Sequence, residues 1–403
     1  MEKTPKSLRL HIGFFGKRNA GKSSVVNRIA NQNISIVSDV PGTTTDAVEK
    51  AIELIPLGAA VLIDTAGIDD VGDLGQKRIE KTKSVIDRTD IGVIVSDNNG
   101  WDDYEYEIAK ILKDKNIPVL SIINKCDIAK IEEGKLNFIK ENSNEVLELS
   151  AKETKDVSSA FIEKLIKILP EEYIDTPKII ADKLPKSALV VLVIPVDKEA
   201  PKGRLILPQV QTLRELLDEG MQTLVVRDTE LAEGLKSLNK KPDLVITDSQ
   251  AFKKVNEIVP KNIYLTSFSI LFAGLKGDLN TFYNSTCAID NLENGSKILV
   301  CESCTHHSVD DDIAKVKIPK LLRTKTGKEL VFEYLSSHDF CSNPSDYDLI
   351  IHCGACMTNR REILSRISKC KETNTPITNY GMTIAYCLGI LPRAIEIFKD
   401  KIR

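Results

Sequence analysis

The sequence predicts an α/β protein of three modules with mainly parallel sheets. Three observations carry that expectation. Short apolar runs alternate with amphipathic stretches along most of the chain, the order that βα units produce. A glycine-rich turn, Gly16-Lys17-Arg18-Asn19-Ala20-Gly21-Lys22-Ser23, stands between the first apolar run and the first amphipathic stretch. Eight of the nine cysteines fall from Cys287 onward, which sets the last part of the chain apart chemically.

At 403 residues the chain is long for one domain. Its 42% hydrophobic and 28% charged residues are those of a globular protein. A net charge of −3 and the lack of a long basic run speak against a nucleic-acid partner. No run approaches the roughly 18 apolar residues of a membrane span, and Met1-Glu2-Lys3-Thr4-Pro5 lacks the apolar core of a signal peptide. A cytoplasmic protein with no membrane partner is expected.

The first module covers residues 1–172. Residues 8–15, 61–64, 91–97, 118–124 and 146–149 read as strands; 23–30, 77–88, 104–115 and 157–169 read as helices. Pro170 to Pro177 reads as a boundary. The second module, residues 178–277, alternates strands at 188–195, 223–227 and 243–247 with helices at 209–220, 229–238 and 250–259. It shows no phosphate loop, metal motif or paired carboxylate, so a structural or self-association role is expected, by sheet or helix pairing between two copies. The third, residues 278–403, twice runs a strand into soft metal ligands. Residues 297–300 lead to Cys301-Glu302-Ser303-Cys304-Thr305-His306, and residues 346–351 lead to His352-Cys353-Gly354-Ala355-Cys356, with a helix at 359–370 after the second. If the two strands are parallel neighbours, both ligand loops leave one sheet edge, where open α/β sheets bind ligands.

Gly16 to Ser23 fits GxxxxGK[ST] between a strand and a helix, where backbone N–H groups and the helix N-terminus cradle phosphates. Gly16, Asn19, Ala20 and Gly21 form that cradle. Lys22 is expected to reach the β- and γ-phosphates and Ser23 to ligate Mg²⁺, with Ser24 lining the same loop. Asp64-Thr65-Ala66-Gly67 ends a later strand; Asp64 can hold Mg²⁺ through water, and the Gly67 N–H can sense the γ-phosphate. Asn124-Lys125-Cys126-Asp127 selects the base, since a carboxylate at Asp127 accepts from guanine N1–H and its exocyclic amine, a pair adenine does not offer. The Lys125 stem can cover the base, and Ser150-Ala151-Lys152 fits the loop that contacts the guanine oxygen. Four motifs in order predict a Ras-like P-loop GTPase domain that binds GTP and Mg²⁺. No glutamine follows Gly67, so water positioning by a glutamine is not expected.

These residues resemble the GTPases that include Era and the tRNA-modification GTPase MnmE. Pro41-Gly42-Thr43-Thr44-Thr45-Asp46 is similar to their first switch, PGTTRD, with Thr45 in place of arginine. The resemblance implies that Thr44 contacts Mg²⁺ in the GTP state and that Asn19 coordinates K⁺, the cation replacing an arginine finger. Slow, potassium-stimulated hydrolysis is expected, with Lys22, Thr44 and Asn19 as the catalytic set.

Thiolates and imidazoles at this density suit zinc or an iron–sulfur centre. Cys353-x-x-Cys356 lets two thiolates share one centre and Cys304 supplies a third. His306 or His352 is a candidate fourth ligand or a neighbour, and Cys301 could close the site instead. Cys126, Cys287, Cys370 and Cys387 read as buried small hydrophobes, and His307 and His338 as solvated loop residues.

A CxH motif, 45 intervening residues and then HCxxC, behind an Era-like GTPase module, resemble the family of FeFe-hydrogenase maturation GTPases over essentially the whole chain. The resemblance implies that Cys304, Cys353 and Cys356 hold a 4Fe–4S cluster and that residues 178–277 form a homodimer. It further implies that the protein carries a transient diiron precursor bearing CO and CN⁻. Radical-SAM maturases would supply that precursor and apo FeFe-hydrogenase would receive it. The alternative is an RNA-modification or ribosome-associated GTPase with a structural zinc, which predicts a basic face.

Overall fold

The computed structural model describes residues 5–32, 38–40, 47–65, 82–151, 157–170, 173, 177–196, 205–302, 312–336, 340–356 and 358–400. The chain divides into two compact units, Met1–Thr176 and Pro177–Arg403.

The first unit is built on a seven-stranded sheet. Its strands are β1 (Leu10–Phe15), β2 (Ser38–Val40), β3 (Val48–Leu54), β4 (Gly58–Asp64), β5 (Ile91–Ser96), β6 (Val119–Ile123) and β7 (Glu145–Glu148). The order across the sheet is β2-β3-β4-β1-β5-β6-β7. Every pair from β4 to β7 is parallel, and only β2–β3 and β3–β4 are antiparallel. The central strands are covered on both faces, so LHIGFF and IGVIVS read as unbroken buried runs instead of alternating ones. On one face Ile12, Phe14 and Val93 pack against Val25 and Ile29 of α1 (Lys22–Gln32) and Phe161 and Leu165 of α4 (Val157–Ile168). On the other, Phe15, Ile63 and Ile94 meet Ile108 and Leu112 of α2 (Asp103–Asp114) together with Val85 and Ile86.

Three elements of this unit were not expected, the short edge strand β2 among them. Strand β3 carries Glu49, Lys50 and Glu53 between its apolar residues and buries only Ile52 and Leu54, so its alternation is weak. Helix α3 (Glu133–Glu141) buries Ile139 alone and starts with no side-chain cap, leaving little helical period to read.

The second unit holds two four-stranded sheets whose neighbouring strands all run parallel. One comprises β8 (Leu189–Val193), β9 (Gln222–Val226), β10 (Leu244–Thr247) and β11 (Tyr264–Ser267), in the order β11-β10-β8-β9. Its helices are α5 (Leu207–Asp218), α6 (Leu231–Lys236) and α7 (Phe252–Ile258). Helix α8 (Phe268–Lys276), FSILFAGLK, is apolar around most of its circumference and is followed by α9 (Leu279–Asn284). The other sheet comprises β12 (Lys297–Glu302), β13 (Val331–Ser336), β14 (Leu349–His352) and β15 (Ile377–Asn379), in the order β13-β12-β14-β15. Helices α10 (Ile318–Thr326), α11 (Arg360–Glu372), α12 (Tyr380–Cys387) and α13 (Leu391–Ala394) complete the unit.

A helix hydrophobic all round must be buried between layers. Helix α8 meets that need by packing against α5, α11 and α12. One continuous core runs from Val190 to Val193 through Leu271 and Phe272 to Leu299, Cys301 and Ile350. The opposite face of the second sheet, with Ile298, Val300 and Ile351, packs on Ile318, Leu322 and Ile384. Strands β12 and β14 are parallel neighbours, with Cys301 opposite His352. The carboxyl ends of β12 and β14 therefore lie at one sheet edge.

Candidate functional site

The nucleotide loop follows from β1 meeting α1 through a turn that only glycine fits at two points. Gly16 has φ +138°, and a Cβ there would stand 2.1 Å from the Val95 carbonyl oxygen; Gly21 has φ +94°, and a Cβ there would stand 2.3 Å from Asn124 Nδ2. Asn19 sits at φ 64°, a left-handed conformation that asparagine tolerates better than most residues. The Lys22 ammonium is buried and donates to the carbonyls of Gly16 at 2.5 Å and Lys17 at 3.0 Å, inside the loop it would share with phosphates. Ala20 is buried, and Ser23 and Ser24 are exposed at the start of α1. Asp64, buried at the end of β4, lies opposite Phe14 of β1. The Thr65 hydroxyl then donates to the Phe14 carbonyl at 2.7 Å, which ties the end of β4 to β1 just before the phosphate loop.

Asn124 holds the site together. Its amide donates to the Ala20 carbonyl at 3.0 Å, and its Oδ1 accepts from the Ala151 N–H at 3.1 Å. One side chain thus ties the phosphate loop to the guanine-side loop, with Ser150 buried beside it. Lys125 has φ 63° and its ammonium lies 3.3 Å from Asp97. Burial pushes the Asp97 carboxyl up, but the Asn99 N–H and the Lys125 ammonium outweigh it and hold it below the ordinary value. Asp127 is exposed, free of the core and accessible to a base. Thr44, Gly67 and Lys152 lie outside the described residues.

Sequence reasoning missed the support beneath this loop. Asp102 and Glu105 form a capping box at the start of α2. Glu105 also accepts from the Lys17 N–H at 2.9 Å, and Asp102 pairs with the Lys17 ammonium. Burial raises the Glu105 carboxyl, and the Lys17 N–H pulls it part of the way back. The D-x-x-E signature was present in the sequence, but nothing local joined it to a loop so far upstream.

The thiol site gathers at the carboxyl edge of β12 and β14. Cys353 is 9% exposed and Cys356 half-buried. Between them Ala355 has φ 54°, a left-handed conformation that a non-glycine residue holds only when its surroundings enforce it. The enforcement comes from α8. The Lys276 ammonium donates to the carbonyls of Ala355 and Thr358 at 2.8 Å each and lies 3.4 Å from that of Cys356. In return, Arg360 at the start of α11 donates to the carbonyl of Leu275 at 2.6 Å. Lys276 is 3% exposed, and among the described residues no carboxylate stands within ion-pair distance of it. Burial lowers its ammonium to about 8, while the Cys356 and Cys353 thiols act to raise it. Residues 178–277, expected to carry no chemistry, thus deliver a cation to the thiol loop.

His352 is a buried neighbour of this loop. Arg366 can only donate, so its 2.7 Å contact makes His352 Nε2 an acceptor and places the ring proton on Nδ1, which bonds the Cys353 carbonyl at 2.9 Å. Both ring nitrogens are therefore committed, and Glu362 pairs with Arg366 at 2.5 Å behind them.

The remaining cysteines divide by burial. Cys301 is 1% exposed and belongs to the shared core, where burial pushes its thiol well above the ordinary value. Burial likewise raises the core thiol Cys370 and the half-buried Cys387 to about 12, in keeping with unreactive thiols. Cys126 is half-buried, not buried as expected, and donates to the Ile123 carbonyl at 3.2 Å. Cys287 departs from expectation: it is exposed, on the short turn Ser285–Asn291. Cys304, His306, His307 and His338 lie outside the described residues. Among the described residues no three His, Cys, Asp or Glu side chains gather as a metal cage, and no helix is long and apolar enough to cross a membrane.

A P-loop GTPase domain joined to a parallel-sheet unit that carries a thiol loop is the class these observations define. Residues 11–125 match the family model for 50S ribosome-binding GTPases. Residues 179–277 match the hydrogen maturase F dimerization domain, and residues 280–397 the hydrogen maturase F tetramerization domain. The chain belongs to the hydrogen maturase F family of FeFe-hydrogenase maturation GTPases, with an Era/MnmE-like GTPase domain.

The tRNA modification GTPase MnmE of Desulforamulus reducens is 37% identical over 142 residues, 34% of this chain and 30% of that protein. MnmE of Clostridioides difficile is 40% identical over 141 residues, 34% of this chain and 29% of that protein. The chain thus spans less than a third of the length of these curated relatives. A solved structure of Era in complex with MgGDPNP and 16S ribosomal RNA nucleotides covers 57% of this chain and 97% of its own, at 20% identity and a TM-score of 0.33.

Proposed function

We propose that this chain is a GTPase and iron–sulfur scaffold that carries a diiron precursor and delivers it to apo FeFe-hydrogenase. The carrying observation is the Lys276 ammonium, buried against the Cys353–Cys356 loop with, among the described residues, no carboxylate within ion-pair distance. A buried lysine without a counter-charge is costly. A thiolate-bound iron–sulfur centre is anionic, so the residues present fit such a group. Cys304, Cys353 and Cys356 would hold the 4Fe–4S cluster, and its chemistry when bound is that of an iron with one position open to exchange. The chain's own residues fix the loop. Lys276 and His352 hold its carbonyls, and the shared core beneath keeps water from that side.

In the nucleotide site Lys22 would meet the phosphates, Ser23, Thr44 and Asp64 would hold Mg²⁺, and Asn19 would hold K⁺ in place of an arginine finger. Asp127 would select guanine, with Lys125 over the base. Hydrolysis releases loops that the γ-phosphate holds, and in this reading that release switches partner exchange. Radical-SAM maturases load the precursor, and the names of the matched domains favour a self-associated protein as the carrier. The likeness to MnmE stops at the GTPase domain and gives the RNA reading no support from residues 177–403. The test is to load the purified protein in the presence of the two maturases, remove them, and add apo FeFe-hydrogenase. Hydrogen evolution that depends on the loaded protein supports the proposal. Activity that needs only the maturases refutes it.

A further inference from the structure

We infer that Lys276 is a positioning residue that anchors the ligand loop and sets the reduction potential of the cluster. The inference rests on the reading that Cys304, Cys353 and Cys356 hold a 4Fe–4S cluster. Two of the three carbonyls at the Lys276 ammonium, those of Ala355 and Cys356, belong to the Cys353-x-x-Cys356 turn, and the third, that of Thr358, follows it. One of them belongs to Ala355, whose left-handed backbone needs support. The clasp is reciprocal, because Arg360 from the far side of the loop binds the carbonyl of Leu275 next to Lys276. Phe272 packs one turn earlier, with the Lys276 ammonium 5.9 Å from its ring centre, and keeps the cation out of water.

A fixed positive charge favours the more negative of two redox states. In a dry environment it is weakly screened, and groups around a metal site tune both affinity and potential. Lys276 should therefore stabilise the reduced cluster over the oxidised one and slow its loss. Lys276→Met removes both charge and hydrogen bonds. Lys276→Gln keeps donor capacity without charge, and Lys276→Arg keeps the charge.

The experiment reconstitutes wild type and the three variants anaerobically with iron and sulfide. It then measures an EPR-monitored redox titration and the rate of iron loss to a chelator. Lys276→Met and Lys276→Gln should each shift the reduced-to-oxidised ratio by about tenfold toward oxidised, a midpoint about 59 mV lower for a one-electron couple. Lys276→Arg should stay near wild type. Chelator loss should rise by about tenfold in Lys276→Met. Wild-type potentials in both neutral variants overturn the inference while leaving the cluster reading intact. If Lys276→Met fails to fold, Lys276→Gln decides by the same criterion. A wild-type protein that takes up zinc and no cluster overturns the cluster reading, and this inference with it.

Discussion

Arg366 donates to Nε2 of His352 at 2.7 Å in the buried layer behind the thiol loop. That single contact fixes the imidazole tautomer and turns its Nδ1–H toward the Cys353 carbonyl. Glu362 balances the guanidinium from the same helix, one turn away. The thiol loop is thus held from two sides, by this triad and by Lys276.

The triad makes a stability prediction. Arg366→Met removes the guanidinium that pairs with the buried Glu362 carboxylate, and breaking such a buried pair should cost about 3–5 kcal/mol. Glu362→Gln combined with Arg366→Met removes the buried carboxylate as well and should recover much of that loss. Denaturant unfolding of the variants checks this, and equal stability of the single and double variants would contradict it.

Asn124 bridges Ala20 and Ala151, so Asn124→Ala should both destabilise the first unit and weaken nucleotide binding. Loss of the two bonds should cost about 1–3 kcal/mol, or roughly tenfold to hundredfold in GTP affinity. Thermal unfolding and nucleotide titration read the two effects separately. A variant with wild-type affinity would remove Asn124 from the account.

On the proposal that Asn19 holds K⁺, GTP hydrolysis should be faster in potassium than in sodium, since no glutamine follows Gly67 to position water. Asn19→Ala should abolish the difference between the two salts while leaving GTP bound. Phosphate release measured in each salt tests this, and equal rates in wild type would contradict it.

His11 is fully buried, and desolvation lowers its pKa from 6.5 to about 4. Its ring nitrogen bonds the Arg9 carbonyl at 2.9 Å. Asp90 nearby is already engaged by the His11 N–H and the Tyr173 hydroxyl, so burial dominates. The folded state therefore resists protonation that the unfolded state accepts. The stability from this group is whole above pH 6.5 and declines as pH falls toward 4, by up to roughly 3 kcal/mol. His11→Gln should unfold with a flatter dependence over that window. Identical slopes in the two proteins would contradict the argument.

The parts of the molecule legible in the sequence are those where chemistry demands neighbouring residues. Gly16 to Ser23 and Asn124 to Asp127 are contiguous because one ligand group must meet several donors at one turn. The parallel pairing of β12 and β14 was legible because each strand ran into cysteines, so a shared edge was the economical arrangement. Lys276 was not legible. It closes a helix whose other residues, FSILFAGLK, read as core, and only the tertiary fold brings it to Ala355. Asp102 and Glu105 were likewise visible as a cap but not as a grip on Lys17. The exposure of Cys287 was missed because the apolar pattern around it continues past a turn that faces outward.

The central claim is that the thiol loop holds a 4Fe–4S cluster with an exchangeable iron. The most direct measurement is the EPR spectrum of the anaerobically reconstituted, reduced protein with and without cyanide. The account predicts a 4Fe–4S signal that cyanide perturbs and that Cys353→Ala abolishes. Stoichiometric zinc with no cluster, or a signal indifferent to cyanide, would contradict it.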